Sequence, residues 1–283
     1  MIELKNIGIT FNKNTPDENT ALKNINLSIN KGDFITVIGS NGAGKSTLYN
    51  VISGTYSPTE GSIFLETESG IKDITKDKEY KRAKYIGRIF QNPLLGTAGK
   101  MKLEDNMVIS SKKGNKGLKI SLNNRLREQF REQLKELNMG LENRLNDNVD
   151  QFSGGQRQAL TLLMAVMSKP DLLLLDEHTA ALDPATAEKV LALTKKIVAE
   201  NHITCLMITH NMRDAIAYGN RLVMMYEGRI VVDVRGEEKK KLTVEQLLRE
   251  LDKNGGFVYL DFIADCRRRM ESGEPFPSAW RKS

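Results

Sequence analysis

The chain has 283 residues, of which 40% are apolar and 28% are charged, and its formal net charge is +6. The length permits one large α/β domain or two small ones. The longest apolar run, Leu160 to Met167, is too short to span a bilayer, which takes roughly 20 residues. The N-terminus lacks signal-peptide features, and two cysteines cannot form a disulfide framework. We therefore expect a globular cytosolic protein rather than a secreted or integral membrane one.

Much of the positive charge lies in three short clusters of basic residues. These are Lys112, Lys113, Lys116 and Lys119; Lys239, Lys240 and Lys241; and Arg267, Arg268 and Arg269. The first two clusters lack the interleaved aromatic residues of a stacking platform for single-stranded nucleic acid. Solvated loops are the first interpretation, attraction to membrane headgroups the second and nucleic acid the third.

The N-terminal segment predicts an antiparallel hairpin. Residues 2–11 and 21–30 alternate apolar and polar side chains, and the stretch between them is rich in turn-forming residues. Phe11 ends the first strand. An aromatic residue there could stack on an adenine or pack in the core, and the pattern alone favours neither.

A glycine-rich loop follows the apolar strand Phe34 to Ile38 and leads into a helix over 45–53, with Gly54 as its cap. The loop fits G-x-x-x-x-G-K-[ST]. Its members are Gly39, Ser40, Asn41, Gly42, Ala43, Gly44, Lys45, Ser46 and Thr47. Converging backbone N–H groups and the helix dipole would bind phosphate there. We expect Lys45 to bond the β- and γ-phosphates and the Ser46 hydroxyl to bind Mg²⁺.

The middle of the chain predicts short strands at 61–66 and 85–90, a charged helix over 73–82, and a helical insertion over about 92–168. Within the insertion, Leu122, Leu126, Phe130, Leu134 and Leu137 recur at helical spacing. Loops are expected at 96–99 and 110–117.

Near the end of the insertion lies the run Ser153, Gly154, Gly155, Gln156 and Arg157, just before an apolar helix over 158–167. Two glycines at a helix start are typical of a second anion site. The same residues could also form an ordinary helix-capping turn.

The continuous apolar run Leu172 to Leu175 predicts a buried parallel strand that ends in Asp176 and Glu177. Ligands of open α/β sheets bind at this edge. Asp176 is positioned to hold Mg²⁺ through water, and Glu177 is a candidate base for the attacking water. A structural ion pair is the alternative. Asp183 and Pro184 then predict the start of a helix that runs to residue 200.

The remaining elements include a strand over 203–209 that ends on His210, at the same sheet edge. Of the other histidines, His202 is interpreted as a solvated loop residue and His178 is ambiguous. A helix over 212–218, strands over 221–226 and 229–234 paired across residues 227 and 228, and a helix from Thr243 to Leu251 complete the prediction.

Taken together, residues 1–250 resemble the ATP-binding subunit of an ABC transporter, because every motif of that family stands in order. The motifs are the phosphate loop Gly39 to Thr47, Gln91, the signature Ser153 to Gln156, the strand Leu172 to Asp176 with Glu177, the loop Ala181 to Asp183, and His210. The resemblance implies an α/β P-loop NTPase fold of the ABC type. Its mainly parallel core sheet would carry an N-terminal antiparallel β subdomain and the inserted helical subdomain.

The resemblance also implies an ATPase in which two subunits face head to tail and trap two ATP molecules with Mg²⁺. Ser153 and Gly155 would bond the γ-phosphate held by the partner's phosphate loop, and Phe11 would stack on adenine. Hydrolysis would remove these contacts, so that ATP favours the closed dimer and its cleavage releases it.

Three further roles are implied by the same motifs. Gln91 would sense Mg²⁺ and the attacking water, His210 would hold the γ-phosphate and orient Glu177, and Asp183 would couple the two sites. A groove near Asn92 to Met107 would receive a membrane permease, which would place the chain at the cytoplasmic face of the membrane. No nucleic-acid partner is expected.

Two positions depart from the family pattern: Phe152 replaces the usual leucine, and His178 stands where many relatives have proline. The surrounding runs resemble an importer branch that works with an extracytoplasmic solute-binding protein, some members of which handle aromatic amino acids. An exporter or lipid-extraction ATPase, a soluble ABC ATPase acting on DNA or in cluster assembly, and a non-enzymatic ATP-binding regulator are the alternatives. The presence of Glu177 and His210 argues against the last.

The expected domains are an ABC ATPase domain over 1–251 and a C-terminal extension over 252–283. In the extension, Phe257, Leu260, Ile263, Cys266 and Met270 would share one helical face, although 257–260 could equally form a strand. A docking or regulatory role and a terminal element packed on its own domain are both open.

Overall fold

The computed structural model describes residues 1–67, 70–111 and 122–255, with side chains to residue 250. The strands are β1 (Ile2–Phe11), β2 (Asn19–Ile29), β3 (Phe34–Gly39), β4 (Glu60–Thr67), β5 (Gly70–Asp73), β6 (Ile86–Ile89), β7 (Leu172–Asp176), β8 (Thr204–Ile208), β9 (Arg221–Tyr226) and β10 (Arg229–Arg235). The α-helices are α1 (Lys45–Ser53), α2 (Glu79–Arg82), α3 (Leu103–Ser110), α4 (Asn124–Lys135), α5 (Gly154–Met167), α6 (Pro184–Glu200), α7 (Met212–Ala217), α8 (Gly236–Lys240) and α9 (Val244–Gly255). None of these helices is long and apolar enough to cross a membrane.

The chain forms two compact units, one made of Met1–Lys76 with the chain from Ile208 onward, the other of Asp77–Met207. In the first unit, β2, β1, β4 and β5 form an antiparallel sheet in that order. In the same unit β3 runs parallel to β9, which pairs antiparallel with β10. Helices α7 and α9 cover one face through a cluster of Ile38, Ala215, Leu222, Met224 and Leu247.

The second unit contains β6 and β7, which run parallel, with Ile86 opposite Leu172 and Ile89 opposite Leu175. Residues 172–175 are all buried, as a strand covered on both faces requires. Long helices α5 and α6 pack against each other beside these strands. The parallel strands and flanking helices confirm the α/β fold class.

Several predicted boundaries agree closely with the structure. Helix α1 spans 45–53, and Gly54 follows it in a left-handed conformation with φ of 87°. Asp183 caps α6 by accepting a hydrogen bond from the Thr186 N–H, and α6 ends at Glu200. The hairpin β1–β2 and the pair β9–β10 also form as predicted.

The helix predicted over 73–82 is wrong for most of its length. Residues 70–73 form strand β5, and only Glu79–Arg82 is helical. The Asp73 carboxylate accepts a hydrogen bond from the Thr75 N–H at 2.8 Å, an Asx turn that breaks the chain between the two elements. Helix α5 likewise begins four residues before the predicted start, within the signature, and α9 extends to Gly255 rather than to 251.

The prediction of a solvated loop for the cluster 239–241 is also wrong. Lys239 lies on α8 and is only 2% exposed. Its ammonium donates to the main-chain carbonyls of Ile216, Tyr218 and Gly219, where helix α7 ends. Lys240, in contrast, is exposed and pairs with Glu237. The other two basic clusters, most of the 110–117 loop and the predicted elements of the tail beyond 255 lie outside the described residues.

Candidate functional site

The first unit contains the phosphate loop, which connects β3 to α1. Gly44 precedes the helix with φ of 98°, and a Cβ at this position would lie 2.7 Å from the Ala21 carbonyl oxygen. Only glycine fits this close approach in a left-handed conformation. Because Gly44 has no side chain, it leaves the first N–H groups of α1 without a side-chain cap, as an anion site requires.

The Lys45 ammonium lies inside this loop. The residue is only 5% exposed, and Nζ donates to the carbonyl oxygens of Gly39 and Ser40, each at 2.9 Å. These contacts curl the loop around a positive charge at the N-terminus of a helix. Positive charge and helix dipole therefore act in the same direction at this point.

The turn between β9 and β10 packs against the phosphate loop and is hydrogen-bonded to it. The Gly228 N–H donates to the Ala43 carbonyl at 3.0 Å, while the Gly228 carbonyl accepts from the Lys23 N–H at 2.8 Å. A Cβ on Gly228 would lie 2.6 Å from the Ala21 carbonyl oxygen. The sequence indicated only a hairpin turn here, and its contact with the loop was missed because residues 43 and 228 are far apart in the chain.

Two other predicted site residues belong to the first unit. Phe11 ends β1 and is half-buried, with the Tyr56 ring packed edge-on at 5.3 Å between centroids. His210 follows β8 and is exposed, and the preceding Thr209 donates its N–H to Val37 in β3. The Phe11 ring thus has an aromatic neighbour at its edge, and His210 stands at the carboxyl end of its strand as predicted.

In the second unit, polar residues lie at the carboxyl ends of the parallel strands β6 and β7. The last paired residues are Ile89 and Leu175, and Gln91 and Glu177 each follow two residues later in their own segment. Asp176 ends β7, and its carboxylate lies 3.4 Å from the Arg88 guanidinium, which also stacks over the Phe90 ring. Sequence reasoning missed Arg88. An arginine within an apolar strand pattern was the available signal.

Glu177 adopts a left-handed backbone conformation with φ of 47°, which is unusual for a residue other than glycine. The next residue, His178, is 2% exposed, and its Nε2 lies 3.0 Å from the Thr194 hydroxyl. Burial lowers the pKa of His178 to about 4, so that the ring is neutral at physiological pH. The ambiguous histidine of the sequence is therefore a buried, hydrogen-bonded one, whereas His202 is exposed as predicted.

The signature begins helix α5 with a reciprocal cap. Ser153 Oγ accepts from the Gln156 N–H at 3.2 Å, and Gln156 Oε1 accepts from the Ser153 N–H at 3.0 Å. The Gln156 side chain also donates to the Met139 carbonyl at 3.2 Å. The motif is thus a capping turn in this conformation, with Gly154 and Gly155 in the first turn of the helix.

Helices α5 and α6 begin side by side in the second unit. A Cβ on Gly155 would overlap the γ-methyl of Thr186, so the second signature glycine permits this close approach. Thr186 in turn hydrogen-bonds Asp183, and hydrogen bonds from its side chain and backbone lower the pKa of the Asp183 carboxyl. The carboxylate stays ionised and exposed beside the signature helix.

The predicted site residues therefore form two sets. The phosphate loop, Phe11 and His210 belong to the first unit, and the second set comprises Gln91, Ser153 to Gln156, Asp176, Glu177 and Asp183. Within the described ranges, no three or more His, Cys, Asp or Glu side chains are grouped so that they could hold a metal ion by themselves.

Comparison with known proteins gives the family. A family model described as ABC transporter matches residues 22–180. The tyrosine transport ATP-binding protein of Clostridioides difficile is 42% identical over 255 residues, covering 89% of this chain and 99% of its own length. A phosphonates import ATP-binding protein of Halalkalibacterium halodurans is 32% identical, covering 90% of this chain and 98% of its own.

Solved structures that are similar to this chain are also ATP-binding cassettes. The ADP conformation of MJ1267, an ATP-binding cassette of an ABC transporter, gives a TM-score of 0.71 at 28% identity, covering 88% of this chain and 97% of its own. The dimeric post-hydrolysis state of the cassette MJ0796 with ADP and Pi gives 0.67 at 29%, covering 83% and 98%. The chain belongs to the ABC transporter family. It is an ATPase, the ATP-binding subunit of a transporter that works with a membrane permease.

Proposed function

We propose that two copies of this chain hydrolyse ATP at paired sites, each made by the phosphate loop of one copy and the signature of the other. The observation that carries the nucleotide site is the buried Lys45 ammonium at the N-terminus of α1. It supports phosphate binding because this positive charge lies at a helix start that has no side-chain cap. Residues Gly39 to Thr47 would hold the phosphates, and the Phe11 ring would stack on adenine.

The signature would bind the γ-phosphate across the dimer. Ser153 and Gly155 are assigned this role, with Gly154 and Gln156 shaping the turn. The cap formed by Ser153 and Gln156 supports the proposal, since it holds the start of α5 rigid beside Gly155. Asp183 would couple the two sites, which its position beside Thr186 and the signature helix supports.

We assign Mg²⁺ to the Ser46 hydroxyl, Gln91 and Asp176. The donor set fits, because Mg²⁺ prefers oxygen ligands and takes few carboxylates together with substrate phosphates. Bound with ATP, the ion would neutralise charge that develops on the phosphates. Arg88 forms an ion pair with Asp176 at 3.4 Å, which fixes the position of this carboxylate at the end of β7.

Glu177 would take a proton from the attacking water, with His210 as a contact to the γ-phosphate and Gln91 beside the water. The support is the place of Glu177 directly after the carboxyl end of β7, beside the strand β6 that leads to Gln91. We predict that Glu177→Gln binds ATP but loses turnover by about 100-fold or more, because a positioned base contributes on that order. Size-exclusion chromatography with ATP should show a stabilised dimer, and Glu188→Gln, an exposed site on α6, is the control. Normal turnover in Glu177→Gln would remove Glu177 from this role.

The transported solute is proposed from the relatives: the chain drives import of an amino acid, with an aromatic one as the first candidate, at the cytoplasmic face of the membrane. The tyrosine transport protein that shares 42% identity over almost its whole length supports this. The exposed apolar side chains of Leu94 and Leu95 lie in the segment where a permease would dock.

The test is to purify the tagged chain from detergent-solubilised native membranes and identify the co-purifying proteins. A permease and an extracytoplasmic solute-binding protein are expected. Reconstituted with both, the complex should hydrolyse ATP faster when the binding protein carries an aromatic amino acid than when it is empty. A permease without a binding protein would overturn import, and soluble partners alone would overturn transport.

A further inference from the structure

A buried hydrogen-bond chain joins the segment after Glu177 to helix α6. The Thr194 hydroxyl donates to the Val190 carbonyl at 2.8 Å, one turn earlier in the helix. The single hydroxyl proton of Thr194 is used in this bond. In its contact with His178 Nε2, at 3.0 Å, the Thr194 hydroxyl therefore acts as the acceptor. The Nε2 atom therefore carries the hydrogen, and His178 is the donor in a fully buried contact.

The connection between β7 and α6 is held at both ends by this helix. Asp183 caps the N-terminus of α6, and His178 is tied to Thr194 in its interior. Between them, the Ala180 N–H donates to the Glu177 carbonyl at 2.9 Å and closes a turn. Glu177, in its left-handed conformation, lies between the end of β7 and this anchored turn.

We propose that His178 is a positioning residue for ATP hydrolysis: its hydrogen bond to Thr194 fixes the backbone that orients the Glu177 carboxylate. A left-handed conformation at a residue other than glycine persists only where its surroundings hold it, and the His178–Thr194 contact supplies that constraint on the C-terminal side. The proposal rests on the proposed role of Glu177 as base. Proline, which the family resemblance places at 178, would make no such hydrogen bond.

Matched variants separate the effect of losing the hydrogen bond from the effect of changing side-chain volume. Thr194→Val keeps the shape of threonine and removes the acceptor, whereas Thr194→Ser keeps the hydroxyl. His178→Leu removes the donor, whereas His178→Gln retains an N–H at a similar reach. We expect Thr194→Val and His178→Leu to lower kcat about tenfold with KM for ATP unchanged within about twofold, because misplacement of a base affects turnover rather than binding. Thr194→Ser and His178→Gln should retain turnover within about threefold.

The double variant His178→Leu with Thr194→Val distinguishes positioning from folding. Neither partner is left unpaired in it, so its melting temperature should recover toward that of the wild type, while kcat stays low. A kcat that recovers together with the melting temperature would overturn the proposal and leave a packing role. Wild-type kcat in both single variants would also overturn it. Glu177→Gln in the same assay separates the two proposals: if that variant turns over normally, the base assignment fails instead.

Discussion

Two buried lysines in the first unit bind main-chain carbonyls with their ammonium groups, yet they stand in opposite electrostatic settings. Lys45 contacts the carbonyls of Gly39 and Ser40 at the N-terminus of α1, which has no side-chain cap. Lys239 contacts three carbonyls at the C-terminal end of α7. At a helix N-terminus the ammonium adds to the helix dipole and attracts an anion, whereas at a helix C-terminus the ammonium itself caps the last carbonyls. The helix end therefore decides whether a buried lysine binds a ligand or stabilises the fold.

Replacing Lys45 should give the largest effect on activity. In Lys45→Ala we expect ATP turnover to fall on the order of 100-fold or more, because one charge contact to phosphate is worth on the order of 4 kcal/mol. Steady-state ATPase assays and binding of a fluorescent ATP analogue measure this. The melting temperature without nucleotide should fall less than in Lys239→Met, because two carbonyls rather than three lose their donor. A variant that hydrolyses ATP normally would contradict the phosphate-binding role.

Replacing Lys239 should reverse that profile. Lys239→Met leaves three carbonyls at the end of α7 without their donor, which costs about 2 kcal/mol of the free energy of unfolding and lowers the melting temperature by roughly 5 °C. Turnover at low temperature should stay near that of the wild type. Thermal denaturation and an ATPase assay at about 20 °C, well below the melting temperature of a typical domain, test both points. Loss of turnover without loss of stability would give Lys239 a direct part in catalysis.

The pH dependence sharpens the comparison further. Burial lowers the pKa of Lys239 to about 8, below its value in an unfolded chain. Between these two values the unfolded state holds more protons, so this group's contribution to the free energy of unfolding rises with pH. The stability advantage of the wild type over Lys239→Met should therefore be larger at about pH 9.5 than at about pH 7, by urea denaturation. An advantage that shrinks with pH would show that the carbonyls outweigh burial and raise the pKa.

The smallest effect is expected at the neighbouring lysine. Lys240 is exposed and pairs with Glu237 one turn away, a contact that is screened by solvent. Lys240→Ala should leave turnover unchanged and shift the melting temperature by no more than about 1 °C. A shift as large as that of Lys239→Met would mean that the whole segment, rather than the buried ammonium, holds α7 in place.

The same two lysines show what the sequence could and could not predict. Lys45 was identified because its partners and its helix lie within the same short motif. The carbonyls that bind Lys239 lie 20 to 23 residues away, and nothing in a run of three lysines tells which one faces inward. Local signals were enough to place the helix start at Asp183 and the helix end at Gly54.

Contacts between distant segments account for the other gaps. The pairing of Arg88 with Asp176 and of His178 with Thr194 depends on which strand or helix lies alongside, and sequence spacing does not carry that information. The helix predicted over 73–82 is wrong for a local reason. The charged residues of this segment suggested a helix, but Asp73 forms an Asx turn at its start. The family motifs predicted the element on which each site residue lies. They did not predict the residues that contact it and fix its position.

The turn at Gly228 beneath the phosphate loop has a consequence for the newly made chain. The loop is synthesised by residue 47, whereas Met225, the neighbour of Gly39 in β9, and Gly228, whose N–H contacts the loop, are synthesised later. Such long-range closure is slow compared with local helix formation. A nascent chain that stops before residue 228 therefore has the whole nucleotide motif without the β9–β10 turn that contacts it, and we expect it to bind ATP tightly only after this hairpin folds.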